Sequence, residues 1–299
     1  MILVFGGNGQ LGRELFRAAA ERHVALQALT RAEADIADAA AVVATLKRWK
    51  PDLVVNAAAY TNVDGAESHA AEARRVNELG PGVLGAACAD AGVAMVHVST
   101  DYVFDGSKDG AYRENDVVHP INAYGRSKAA GEDAVRRMLD RHVILRTAWL
   151  YSAHGRNFLK TILQLAQTRD ELRIVADQHG SPTSARELAE AVLHIAPRVI
   201  AEPRLSGTYH VTASGATTWH GLAECIVAAA APITGRHPQV TPITTADYPT
   251  PAARPANSRL DCSLFVQTFG LNPRPWREAV QATARALVAA PQLADNHVA

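Results

Sequence analysis

The first dozen residues constrain this chain more than any others. Ile2–Phe5 is a short apolar run that stops at glycine, as a strand buried on both faces does. Gly6-Gly7-Asn8-Gly9-Gln10-Leu11-Gly12 follows. Over 11–22, apolar residues then recur at helical spacing through Leu11, Leu15, Phe16 and Ala19. A strand that turns on glycines into an amphipathic helix lets backbone come close to a ligand. It also points the helix N–H groups at that ligand, which suits a pyrophosphate. The glycines fit two registers, one through Gly7, Gly9 and Gly12 and one through Gly6, Gly9 and Gly12, and the sequence does not choose between them.

The same rhythm continues for about half the chain. Strands are expected at 24–29, 53–58, 94–99 and 143–147, and helices at 39–49, 67–91 and 124–137. Gly80 and Pro81 interrupt the third helical stretch, which predicts a kink or break there. Strands alternating with helices specify an α/β fold: a doubly wound parallel sheet covered on both faces, of the Rossmann type. Beyond Thr147 the rhythm weakens. The Pro- and Thr-rich stretch 232–255 reads as an ordered loop over a cleft, and 291–299 as a frayed tail. We therefore expect a dinucleotide-binding domain from 1–147 plus about 184–230. A smaller substrate-binding lobe would use about 148–183 plus 231–299.

Composition narrows the partners. Lys+Arg and Asp+Glu both number 30, a balance that argues against nucleic acid or an anionic membrane as a partner. Cys88, Cys225 and Cys262 are few and far apart, which fits a reducing cytoplasm better than a disulfide framework. The start, MILVFGGNGQ, lacks the basic residues and cleavage site of a signal peptide. No apolar run approaches the roughly 20 residues that span a bilayer. No His, Cys, Asp and Glu spacing reads as a transition-metal site.

Chemistry concentrates at the ends of the expected strands. The second strand ends Ala28-Leu29-Thr30-Arg31, without the acidic residue that usually binds a ribose. Thr30 and Arg31 suit a 2′-phosphate instead, which tilts the cofactor towards NADPH rather than NADH. Asp35 and Ile36 are placed to flank an adenine. Ser99-Thr100-Asp101 closes the fourth strand, where ligands of such sheets bind. Tyr124 and Lys128, four apart, share one face of a helix. A neighbouring ammonium would lower the phenol from its usual value of about 10. Tyr124 could then give a proton to a carbonyl oxygen as hydride reaches the carbon. His210 reads as a structural residue at a strand end.

These residues resemble the extended short-chain dehydrogenase/reductase superfamily and, within it, the dTDP-4-dehydrorhamnose reductase family. The resemblance runs in order through GGNGQLG (6–12), NAAAYTNVDGAES (56–68), STDYVFDG (99–106), YGRSK (124–128), RTAWLY (146–151), DQHGSPT (177–183), GTYH (207–210) and RPANSRLD (254–261). It implies hydride transfer from NADPH or NADH to C4 of a dTDP-4-keto-6-deoxyhexose, dTDP-4-dehydro-β-L-rhamnose. Tyr124 would protonate O4, Lys128 would hold the cofactor ribose, and Thr100 would hydrogen-bond the keto oxygen. Gly9, Gln10 and Leu11 would line the pyrophosphate, and Ala58, Ala59 and Thr61 would follow the cofactor. Val63 and Asp64 would lie near the sugar pocket, with Asp101 and Trp149 on the sugar. The flat apolar face of Trp149 suits a sugar with a methyl group. Arg254, Asn257 and Ser258 offer donors to the nucleotide diphosphate. Some relatives bridge subunits through a divalent cation such as Mg2+ held by glutamates. Glu14 and Glu187 match two such positions and a third has no match, so solvated glutamates are favoured over a metal-linked homodimer.

Two other readings share parts of this pattern. A related sugar-nucleotide 4-ketoreductase, epimerase or dehydratase would use the same cofactor, but dehydratases carry an acidic pair beside the strand-end Thr. Here only Asp101 follows Thr100. The non-catalytic regulatory subunit of methionine adenosyltransferase is a binding module of similar sequence. It has no need of Thr100, Tyr124 and Lys128 together.

Overall fold

The computed structural model describes residues 1–290, so the tail read as frayed lies outside the described residues. The first half alternates strands with helical segments. It runs β1 (Ile2–Phe5), α1 (Gln10–Glu21), β2 (Leu26–Leu29), α2 (Ala39–Trp49), β3 (Leu53–Asn56), α3 (Val63–Ser68), α4 (Ala70–Arg74), α5 (Gly80–Ala91) and β4 (Ala94–Thr100). After a long loop come α6 (Ala123–Met138), β5 (His142–Thr147), β6 (Leu150–Tyr151), α7 (Phe158–Thr168), β7 (Glu171–Val175), β8 (His179–Gly180) and β9 (Thr183–Ser184). The chain closes with α8 (Ala185–Ala201), β10 (Gly207–His210), β11 (Thr217–Thr218), α9 (Trp219–Thr234), β12 (Gln239–Ile243), α10 (Ser263–Phe269) and α11 (Trp276–Ala289).

Six strands form one sheet in the order β10-β5-β4-β3-β1-β2, and every neighbouring pair is parallel. The chain starts inside the sheet at β1, steps outward to β2, then returns past β1 to β3. That reversal opens a crevice at the carboxyl ends of β1 and β3. Alternation along β1 explains its unbroken apolar run. Ile2 and Val4 face a core shared with α1 and α8, while Leu3 and Phe5 face one shared with α2 and α5.

A separate apolar core joins Tyr151, Leu159 and Ile162 to Leu222 and Ile226 of α9 and to Trp276 and Val280 of α11. This differs from the expected boundaries at two places. Residues 219–230 pack in the second core because the apolar face of α9 meets α7 and α11. Phe265 and Phe269 of α10 return to the first core beside Tyr209.

Two local expectations also change. The helix does not break at Gly80-Pro81. A π turn over Arg75–Leu79 joins α4 to α5, and Pro81 sits in the first turn of α5, where its missing N–H costs little. The break falls at His69, which separates α3 from α4. The stretch 232–255 is only partly loop: Pro232 lies in the last turn of α9, and β12 pairs in parallel with β7. What remains as a strap is 248–256.

Candidate active site

The glycine turn is shaped by contacts that admit no side chain. Gly6 has φ +90°, and a Cβ there would sit 2.6 Å from Ala58 N. A Cβ on Gly12 would collide with the Gly6 carbonyl and lie 2.7 Å from Gly7 Cα. Gly9 is the N-cap of α1, with no side chain capping the helix, and its N–H bonds Gly6 O at 3.0 Å. The register through Gly6, Gly9 and Gly12 therefore carries the turn. The uncapped end of α1 beside the β1–β3 crevice fits the pyrophosphate of a dinucleotide. Leu11 is buried in the core, so only its backbone faces that end. The Gln10 side chain turns away: its Oε1 accepts from Ser152 Oγ at 3.1 Å and Asn157 Nδ2 at 2.9 Å, tying α1 to the 152–157 loop.

The far edge of the crevice carries Arg31, which is 67% exposed and pairs with Asp35 and Glu72. Asp35 is also held by Arg75, and its carboxyl lies below the usual range through its contacts with Ala37 N and Arg75, which outweigh the opposing effect of burial. Ile36 does not flank an open cleft. It is buried in the core against Gly80, where a Cβ would meet its Cδ1 at 2.6 Å. On the near side, Ala58, Ala59 and Thr61 follow β3. Ala58 N bonds Asn56 Oδ1 at 3.1 Å, and Tyr60 exchanges two bonds with Asn77. Asn77 comes from the π turn, is buried, and also donates to Ser127 Oγ at 3.0 Å. It links the 57–61 loop to the helix of Tyr124, a role no linear motif announced.

Tyr124 and Lys128 lie on α6, whose N-cap is Asn122. The helix is anchored by a buried ion pair. Glu132 Oε2 is 2.7 Å from Arg146 Nη2, and Ser99 Oγ donates to Glu132 Oε1 at 2.6 Å. Ser99 thus supports the helix rather than facing the crevice. The Tyr124 hydroxyl lies near the Thr100 side chain. Thr100 Oγ1 in turn lies 2.9 Å from Asp101 Oδ1. Tyr102 packs edge-on to the Tyr124 ring with centroids 6.1 Å apart.

The electrostatics differ from the expected Tyr–Lys tuning. Lys128 Nζ donates to Val98 O at 2.7 Å, and burial lowers its pKa to about 8 despite the Glu132 charge. Burial pushes the Tyr124 phenol up to about 12, with the nearby Thr100 hydroxyl opposing it and the Asp101 charge adding to it. The shared helix face is there, but the carbonyl of β4 takes the ammonium. Asp101 is 2% exposed, and its Oδ2 has no partner. Burial raises its carboxyl to about 7, outweighing the bond from Thr100.

The positions expected on the sugar nucleotide fare unevenly. Val63 opens α3, and the next residue, Asp64, forms a two-point ion pair with Arg254, at 3.1 and 2.8 Å. Arg254 is therefore occupied, and with Asn122 Nδ2 donating to Ala253 O it pins the 248–256 strap beside the start of α6. Asn257 is occupied as well. Its Nδ2 donates to the carbonyls of Lys108 and Gly110, and its Oδ1 accepts from Arg259, so it clamps a loop and offers no donor to a diphosphate. Ser258 lies buried, with Oγ 3.3 Å from His179 O. Trp149 is half-buried and stacks on Trp219 with centroids 3.5 Å apart. Trp219 escaped the sequence reading; its signal was Thr217-Thr218 ahead of an apolar run, a helix cap that sets an aromatic at a helix start.

Away from this cleft, His210 ends β10 buried, its Nδ1 3.1 Å from Tyr112 O, and burial lowers its pKa to about 3. Glu14 is buried with His154 Nε2 3.6 Å away, and Glu187 has one oxygen without a partner. Among the described residues, no group of three or more His, Cys, Asp or Glu gathers as a metal site. No helix among them is long and apolar enough to cross a membrane.

Known proteins match this arrangement along nearly its whole length. The family described as the RmlD substrate binding domain matches residues 1–289. A dTDP-4-dehydrorhamnose reductase of Burkholderia thailandensis is 45% identical over 295 residues, covering 96% of this chain and 99% of that one. A solved dTDP-4-dehydrorhamnose reductase of Clostridium acetobutylicum superposes with a TM-score of 0.89 at 38% identity, covering 96% of this chain and 99% of that one. One from Bacillus anthracis, solved in complex with NADP, gives 0.87 at 32% identity, covering 94% and 97%. With agreement running from the glycine turn to the last described helix, the chain belongs to the dTDP-4-dehydrorhamnose reductase family.

Proposed function

We propose that the chain reduces the C4 ketone of dTDP-4-dehydro-β-L-rhamnose to dTDP-β-L-rhamnose with NADPH or NADH. The observation that carries this reading is that Thr100, at the carboxyl end of β4, and Tyr124, in the first turn of α6, stand near each other two strands from the glycine turn. When bound, the reduced nicotinamide supplies the hydride. Gly6, Gly9 and Gly12 leave room for its pyrophosphate. Lys128 Nζ has three hydrogens and spends one on Val98 O, which leaves two for the cofactor ribose.

Tyr124 keeps its proton at working pH because burial holds the phenol high. That is the form a donor needs: Thr100 Oγ1 positions O4, and Tyr124 Oη releases its proton to that oxygen as C4 is reduced. Asp101 and Trp149 border the sugar. Arg254, paired with Asp64, reaches a diphosphate only by exchanging one partner for another. In this reading, the sheet core holds the cofactor and the core of α7, α9 and α11 carries the sugar side. A homodimer and a cytoplasmic location go with it; light scattering tests the first.

The test is NADPH consumption by the purified protein. The sugar is unstable, so it is generated in place from dTDP-4-keto-6-deoxyglucose by a C3,C5-epimerase. Oxidation of NADPH or NADH that requires both supports the proposal. No oxidation of either cofactor defeats it.

A further inference from the structure

The ring of Trp149 is held from three sides. Its backbone has φ +46°, a left-handed conformation rare outside glycine. Gly180 lies over the other face of the indole, where a Cβ would collide with Cε2 and come within 2.6 Å of the ring nitrogen. Trp219 covers one face of the ring nearly in parallel, with 6° between the planes.

Trp219 is itself held by separate segments. It is the first residue of α9, capped by Thr218, whose Oγ1 accepts from Gly221 N at 3.1 Å. β11, just before it, pairs with β8, the strand that carries Gly180. Its Nε1 donates to Gln178 Oε1 at 3.1 Å, and Gln178 Nε2 donates to Thr245 Oγ1 at 3.0 Å. Phe158 lies tilted against the ring with centroids 4.7 Å apart.

We propose that Trp219 is a positioning residue for sugar recognition: its stack on Trp149 fixes the plane of that ring against Gly180 and leaves to the sugar only the part of the opposite face that Gly180 does not cover. The inference rests on the reductase reading, in which Trp149 borders the sugar. An unstacked indole would have to be ordered each time a sugar bound, and that ordering weakens binding. The stack does the ordering beforehand. Its loss therefore belongs in KM for the sugar nucleotide, while Thr100 and Tyr124 still place the reacting carbon.

Steady-state kinetics on the intact protein, with the epimerase-generated sugar nucleotide, test this. Trp219→Ala is expected to raise the sugar-nucleotide KM about tenfold, with kcat and the NADPH KM within about twofold. Trp219→Phe keeps a stacking ring and should stay within about threefold of the parent. In a Trp149→Ala background, Trp219→Ala should change nothing further, because it acts through Trp149. An unchanged KM in Trp219→Ala overturns the inference. So do fully additive effects in the double variant, or an NADPH KM that rises in parallel.

If Trp219→Ala does not fold, Gln178→Leu, which frees the indole N–H, takes its place. A sugar KM about threefold higher is expected there, and an unchanged one counts against the inference. A parent protein that turns over no sugar nucleotide removes the reductase reading and this inference together. An active parent with an unaffected Trp219→Ala removes only this inference.

Discussion

The two sides of the cleft are built by different means. On the cofactor side, the shape comes from backbone. Gly6 and Gly12 lie where any Cβ would strike the chain, and the helix end beside them needs no side chain to attract a phosphate. On the side proposed for the sugar, the shape comes from side chains delivered by distant segments: Asp64 to Arg254, Asn257 to the 108–110 loop, Trp149 to Trp219. A backbone-built site is written in a few adjacent letters. A side-chain-built site depends on which distant partners claim each polar group first.

The chemistry between the two sides offers the sharpest way to break that comparison. Tyr124→Phe removes the proposed proton donor but leaves ring, helix and glycine turn in place. Its kcat should fall by about two to four orders of magnitude, with NADPH affinity nearly kept, as stopped-flow binding beside steady-state turnover will measure. Equal turnover would remove Tyr124 as the donor. Next in size is Gly6→Ala. It places a methyl against the Ala57–Ala58 backbone at φ +90°, so NADPH binding by calorimetry should weaken at least about tenfold and thermal stability should drop.

Asn257→Ala tests the other side. It leaves the carbonyls of Lys108 and Gly110 without their donor, so urea unfolding should show a loss of about 1–3 kcal/mol. A large rise in the sugar-nucleotide KM with unchanged stability would return Asn257 to the role of a ligand donor. The smallest effect concerns pH. Asp101 titrates near 7 in the folded protein but near 3.9 when unfolded, so between those values the folded state holds a proton that the unfolded state has released. Its contribution to stability therefore declines as pH rises from about 4 through about 7. Asp101→Asn should flatten that decline in unfolding experiments at pH 5 and 8.

The same contrast explains what could be read in advance. Alternating strands and helices and the turn at Gly6–Gly12 were legible because each depends on neighbours within one element. So was the Tyr124–Lys128 face. What Lys128 touches was not legible, since Val98 O comes from another strand. Arg254 and Asn257 were expected as donors because their chemistry suits a diphosphate, but Asp64 and the 108–110 carbonyls already hold them. Asn77 became visible only through the π turn that aims it at Tyr60 and Ser127. Trp219 needed β11 against β8 to reach Trp149.

The central claim is a hydride delivered to C4 of a dTDP-linked sugar, with the proton on O4 coming from Tyr124. Its most direct test is a turnover with NADPH deuterated on the transferring face, followed by proton and carbon NMR of the sugar product. The account predicts one deuterium at C4 of dTDP-β-L-rhamnose for each NADPH consumed. Deuterium at another carbon, or NADPH consumed without label in the sugar, would contradict it.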